Sequence, residues 1–174
     1  GYQALKALLP PEPRRGLVLV DPPYESADEI RRLPDRLAVG LRRWPTGIFA
    51  LWFPIKDRRE LAPLWRGLAE IAEDPVLVAE LRVAPTDNAA RMNGTGMAIL
   101  RAPWRFEETL GTCWTALAQV LGQSPSAGSS VRWLAPAAGL VSPPRDRACL
   151  ASTLRRRLAR SASSWARQPR AAAP

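Results

Sequence analysis

Leu17-Val18-Leu19-Val20-Asp21-Pro22-Pro23-Tyr24 is the stretch that decides the fold. Its first four residues are apolar, rich in β-branching and free of charge, so they read as a buried strand. Two successive prolines cannot donate to a sheet ladder, so the strand ends there. Asp21 therefore stands at the carboxyl end of a strand. In open α/β sheets that is the edge where ligands bind.

Residues 2–9 read as the end of a helix, with Leu5, Leu8 and Leu9 on one face and Pro10, Pro11 and Pro13 stopping it. Beyond Tyr24, apolar residues recur at helical spacing over residues 26–44: Ile30, Leu33, Leu37, Leu41 and Trp44. Ser26 or Asp28 can cap that helix, and Pro34 predicts a kink or a later start. Residues 48–55, IFALWFPI, read as a second buried strand. Asp57 caps a further helix through Leu61, Leu64, Trp65, Leu68 and Ala72. Residues 76–83 are a third strand, with Glu80 and Arg82 as a polar face. After a polar loop at 85–93, Gly94-Thr95-Gly96 reads as the turn before a fourth strand at 97–100. Residues 106–121 form a last amphipathic helix, and residues 131–134 a further short strand.

Strand–helix alternation predicts an α/β fold, a parallel sheet with helices on both faces. The loop between the third and fourth strands, about ten residues, is too short for a helical crossover, so these two should form an antiparallel pair at one sheet edge. From residue 138 the chain is Ala, Arg, Ser and Pro with little apolar period. We expect a domain over 1–137 and a disordered tail over 138–174, with an arginine-rich helical patch near Leu154 to Leu158.

Composition narrows the chemistry. The chain has no histidine, which excludes Ser-His-Asp and Cys-His mechanisms and His-ligated metals. Its two cysteines, Cys113 and Cys149, show no metal spacing and suit a reducing compartment, so we expect a cytoplasmic protein without a metal. No stretch reaches the roughly 20 apolar residues that span a bilayer, so no membrane association is expected. The start lacks the basic leader and apolar run of a signal peptide, and opens with Gly rather than Met, so a piece of a longer protein is expected. The net charge of +9 divides unevenly: residues 138–174 carry eight arginines and one aspartate, and residues 1–137 carry 17 basic and 15 acidic side chains. The tail can bind RNA electrostatically, but its charge alone says little about a partner.

Asp-Pro-Pro-Tyr suits methyl transfer to the exocyclic amine of a base. That nitrogen's lone pair is delocalised into the ring, which makes it a poor nucleophile. The Asp21 carboxylate and the Pro22 carbonyl can accept its two N–H groups and aim the lone pair. Proline fixes φ and so holds that carbonyl at low entropic cost. Tyr24 offers a face on which a flipped base stacks, worth about 1–3 kcal/mol. Trp52, Phe53 and Pro54 end the second strand beside this edge, as pocket walls or as core. Lys56 and Arg58 lie just beyond it, as phosphate contacts or as solvated charges. Trp104 reads as packing.

Asp-Pro-Pro-Tyr-Glu at 21–25, after GLVLV at 16–20, with ALKALLPP at 4–11 and TGIFALWFPI at 46–55, resembles the RlmJ family of 23S rRNA (adenine-N6)-methyltransferases. The likeness continues through ELRV at 80–83, NGTGMAIL at 93–100, APW at 102–104 and VRWLAP at 131–136, and covers about residues 1–136. It implies a Rossmann-like methyltransferase fold, S-adenosyl-L-methionine as donor and an adenine of 23S rRNA as acceptor. It places the catalytic aspartate on Asp21, which also meets the cofactor, and substrate contacts on Pro22 and Tyr24. Gly1-Tyr2 resembles the end of the family's Asp-Gly-aromatic segment, making Gly1 a cofactor contact. The family's first strands, cofactor loop and helical insertion have no counterpart in these residues. The fold is therefore expected to be incomplete, and the chain alone to bind the cofactor poorly and be inactive. We expect a monomer. Because DNA and other RNA N6-adenine methyltransferases share Asp-Pro-Pro-Tyr, either activity is an alternative, as is an inactive RNA-binding fragment.

Overall fold

The structure is a computed structural model, and it describes residues 2–12, 15–26, 28–85 and 90–137. The tail from 138 onward, Cys149 and Gly1 lie outside the described residues. The elements in order are α1 (Ala4–Ala7), β1 (Leu17–Val20), α2 (Glu29–Arg43), β2 (Ile48–Ile55), a 3-10 turn (Arg58–Leu61) running into α3 (Ala62–Ile71), β3 (Val76–Arg82), β4 (Gly94–Leu100), α4 (Phe106–Leu121) and β5 (Gly128–Leu134).

Among the described residues five strands form one mixed sheet in the order β1-β2-β4-β3-β5. The sheet carries more antiparallel pairing than the expected parallel sheet with one antiparallel edge pair. Only β1 and β2 pair in parallel, with Val20 opposite Leu51, while β2–β4, β3–β4 and β3–β5 are antiparallel. The third and fourth strands do form the expected antiparallel pair. It is internal rather than at an edge, because β4 folds back between β2 and β3 and β5 adds beyond β3. Strands β1, β2 and β3 therefore all point one way and share one carboxyl edge.

Helices cover both faces. On one, α1 to α3 close over Val20, Phe49, Leu51, Phe53, Val76 and Val78. On the other, α4 lays Leu110 against Ala50, Leu77, Ala79 and Ile99. Alternation along β2 explains the division, since Phe49, Leu51, Phe53 and Ile55 all point to the first face and are fully covered. Burial of each is worth about 1.5–3 kcal/mol. The run 17–20 is less buried than its composition predicts: Leu17 and Leu19 are 58% and 61% exposed. As an edge strand, β1 turns Val18 and Val20 toward the helices, and its other face carries no cover among the described residues.

Several local expectations change with packing. Leu8 is exposed although Leu5 and Leu9 are buried, because α1 is a single turn. Pro34 sits inside α2 without ending it, and its ring packs against Gly67 of α3, where an added Cβ would lie 2.5 Å from Pro34 Cγ. Asp28 occupies the cap position of α2, yet its side chain makes no cap bond. Asp57 does cap as expected, accepting from the Arg59 amide at 2.9 Å. Gly94-Thr95-Gly96 is strand and not turn. Gly96 permits close approach: a Cβ there would lie 2.2 Å from Phe53 Cζ and 2.8 Å from the Ala79 carbonyl oxygen. Glu80, on the polar face of the third strand, is buried. Trp104 is 74% exposed instead of packed, with the Arg105 guanidinium 5.3 Å from its ring.

Candidate active site

Val20 is the last residue of β1, so Asp21 leaves the sheet at the shared carboxyl edge, as expected. Asp21 and Pro23 are exposed, whereas Pro22 is buried. Tyr24 has a positive φ of 55°, a conformation that non-glycine residues adopt only when their surroundings hold them there. Two contacts hold it. Its hydroxyl donates a short hydrogen bond to the Trp52 backbone carbonyl, and its ring meets the Trp52 ring edge-on with centroids 5.6 Å apart. Burial, then the nearby Tyr2, Asp21 and Glu29, push the Tyr24 phenol far above its ordinary range, so it stays a neutral donor.

The Asp-Pro-Pro-Tyr segment separates two cavities. One, of about 290 Å³, is lined by Tyr2, Leu5, Val18, Leu19, Asp21 and Pro22 among others. The second, of about 270 Å³, lies past Tyr24 and is lined by Glu25, Pro54, Lys56, Asp57 and Glu60. Of the three residues at the end of β2, Phe53 is core, Trp52 anchors Tyr24 and Pro54 lines the second cavity. A further concavity of about 510 Å³ lies away from this edge, and its Arg101 is tied to Glu73 and Asp74 at 3.1 and 3.4 Å.

Sequence reasoning named Tyr2 only beside Gly1 and assigned no role to Asn93 or Glu80. Tyr2 walls the first cavity; its hydroxyl donates to Glu29 Oε1 at 3.1 Å and the Arg36 guanidinium lies 4.0 Å from its ring. Burial, the Glu29 hydrogen bond and the Glu29 charge push its phenol up to about 12, against the opposing Arg36 charge. Buried Asn93 ties strand ends together. Its amide donates to the Ile55 carbonyl at 2.8 Å, its side chain donates to the Lys56 carbonyl at 3.0 Å, and its own carbonyl accepts from Val83 at 3.0 Å. Buried Glu80 accepts a short hydrogen bond from Arg58 and lies 3.7 Å from Arg132. The only local signals were an Asn-Gly step before a strand and a carboxylate inside an apolar one. The partners lie far along the chain.

Among the described residues no cluster of His, Cys, Asp and Glu is arranged to hold a metal ion, and no helix is long and apolar enough to cross a membrane.

Known proteins resemble this chain over the same region. The family described as "Ribosomal RNA large subunit methyltransferase D, RlmJ" matches residues 1–135. A protein named "Ribosomal RNA large subunit methyltransferase J" from Escherichia coli (strain K12) is 34% identical over 136 residues, which is 78% of this chain and 49% of that protein. Its namesake from Haemophilus influenzae is 33% identical over 136 residues, 78% of this chain and 48% of that protein. A crystal structure of protein LPL1258 from Legionella pneumophila str. Philadelphia 1 superposes with a TM-score of 0.66 at 26% identity, covering 79% of this chain and 49% of that one. The chain spans about half the length of the relatives it matches.

Proposed function

The chain belongs to the family described as ribosomal RNA large subunit methyltransferase D, RlmJ, and on that premise we propose that it carries the acceptor side of an S-adenosyl-L-methionine-dependent methyltransferase. The modified atom is the N6 amine of an adenine in 23S rRNA. The observation that carries this reading is the placement of Asp21-Pro22-Pro23-Tyr24 at the shared carboxyl edge, between two cavities. The mixed sheet, with three strands running to that edge, supports a Rossmann-like methyltransferase fold.

The first cavity suits the donor in kind. Its walls are Leu5, Val18, Leu19 and Val20 with the Tyr2 ring, and its one carboxylate is Asp21. Apolar walls fit an adenosyl ring, and a carboxylate fits a sulfonium cation. At about 290 Å³ it falls just below the usual range for ligand pockets, so it accounts for part of the contact surface. When bound, the donor supplies an electrophilic methyl group on sulfur.

The chain's own residues then orient the amine. The Asp21 carboxylate accepts one N–H, and the Pro22 carbonyl accepts the other. Pro22 is buried, fixed in φ by its own ring and restricted in ψ by the following Pro23, so its carbonyl is set before the base arrives. Tyr24, anchored through Trp52, gives the base a ring that cannot swing away. Asp21 is solvent-exposed, so a proton leaving the amine after transfer passes from the carboxylate to water.

The test is methyl transfer by the protein as its gene encodes it. Radiolabelled donor should label 23S rRNA, and nucleoside digestion should recover the label as N6-methyladenosine. Label in DNA instead, or in another nucleoside, overturns the proposal.

A further inference from the structure

Glu80 lies at the same carboxyl edge, one strand beyond β4. It pairs with Gly96, which pairs with Phe53, the residue after Trp52. Two strand spacings, about 10 Å, therefore separate Glu80 from the strand that anchors Tyr24. The Glu80 carboxylate is 2% exposed and meets two arginines, Arg58 from the 3-10 turn and Arg132 from β5. Arg132 also lies over the Trp65 ring at 5.1 Å. Arg82 follows Glu80 by two residues on the same face of β3. Two guanidiniums thus meet one carboxylate, with Arg82 next along the same strand face.

The pairing is uneven in exposure. Glu80 is sealed, but the Arg58 and Arg132 side chains are 51% and 38% exposed. A guanidinium has five N–H donors in a rigid fork, and one contact to Glu80 leaves donors directed elsewhere. A buried carboxylate beneath two half-exposed guanidiniums fixes their position and leaves one net positive charge. That arrangement fits a phosphate, which takes charge-assisted hydrogen bonds from such forks.

We propose that Arg58 and Arg132, held by Glu80, bind a backbone phosphate of single-stranded RNA beside the modified base. The proposal rests on the reading that the acceptor is RNA. It adds a phosphate-binding site to the sheet edge that also carries Asp-Pro-Pro-Tyr. Arg59 is not part of it, because its guanidinium is committed to Asp57 at 2.6 Å.

The experiment is binding of the full chain to a short fluorescent single-stranded RNA over a series of salt concentrations. Losing one phosphate contact should reduce the slope of log affinity against log salt by about 0.7. Arg58→Gln and Arg132→Gln should each lower the slope, and the double variant should bind about tenfold more weakly. Arg58→Lys keeps the charge and should keep the slope while losing affinity. Arg105→Gln, on the far α4 side, should leave both unchanged. A purely structural role predicts lower melting temperatures with the parent slope in every variant, and that result overturns the proposal. So does a parent chain that binds no RNA, or an equal loss with Arg105→Gln. Methyl transfer distinguishes the two readings: labelled rRNA with unchanged slopes sinks this site alone, and lost slopes without methyl transfer sink only the proposed reaction.

Discussion

The Tyr24 hydroxyl donates to the backbone carbonyl of Trp52, joining the end of the Asp-Pro-Pro-Tyr segment to the neighbouring strand. This bond, together with the edge-on ring contact, holds Tyr24 at its positive φ. Tyr24→Phe removes the donor and keeps the ring. It should cost about 1 kcal/mol of stability, as for a typical hydrogen bond. Methyl transfer should weaken mainly through KM, since the ring loses its tether and not its stacking face. Chemical denaturation and steady-state kinetics measure both. A variant as stable as the parent removes the anchoring role.

Tyr2 and Tyr24 are the only tyrosines in the sequence, so phenolate absorbance reports on this edge alone. Both phenols are raised above the ordinary value near 10, Tyr2 to about 12. The folded state thus favours the protonated phenols. Its stabilisation is fully present below pH 10 and is lost as pH rises through about 12 for Tyr2 and beyond that for Tyr24. Titration with circular dichroism should show no phenolate step near pH 10 while the fold persists. Two ordinary steps there in folded protein contradict the burial.

Gly96→Ala should destabilise the sheet through overpacking. Its Cβ would fall 2.2 Å from the Phe53 ring and 2.8 Å from the Ala79 carbonyl oxygen, where backbone cannot yield cheaply. The expected cost is about 2–3 kcal/mol. Phe53→Leu should recover part of it in the double variant by making room on one side. If the two losses simply add, the ring is not the obstacle.

Asp21→Asn should separate function from stability. Asp21 is exposed at a strand end, so the fold should hold to within about 0.5 kcal/mol. The amide turns one acceptor oxygen into a donor facing the substrate's N–H. Methyl transfer by the protein as its gene encodes it should fall by about 10²-fold or more. Thermal melts beside label incorporation test this, and near-parent activity removes Asp21 from the site.

Local pattern carried much of this protein. The end of β1 at Asp21 was legible because two prolines stop a ladder wherever they stand. The faces of α2 and α3 were legible because Leu33, Leu37, Leu64 and Leu68 repeat at helical spacing. The antiparallel turn-back of β4 followed from loop length. Such features depend on residues a few positions apart, and a sequence displays them directly.

Tertiary structure alone decided the rest. Nothing local says that β4 inserts between β2 and β3, since strand order is chosen by which faces must be buried together. The alternation of β3 put Glu80 on a polar face; Arg58 and Arg132, brought to it from other elements, let the carboxylate be buried. Gly94 and Gly96 looked like a turn until Phe53 and the β3 backbone came close enough to require residues without side chains. The sequence alone determined that a carboxylate, two prolines and a tyrosine end a strand. Long-range packing determined what holds that tyrosine and which charges stand beside it, because contacts between distant residues form only when the chain closes.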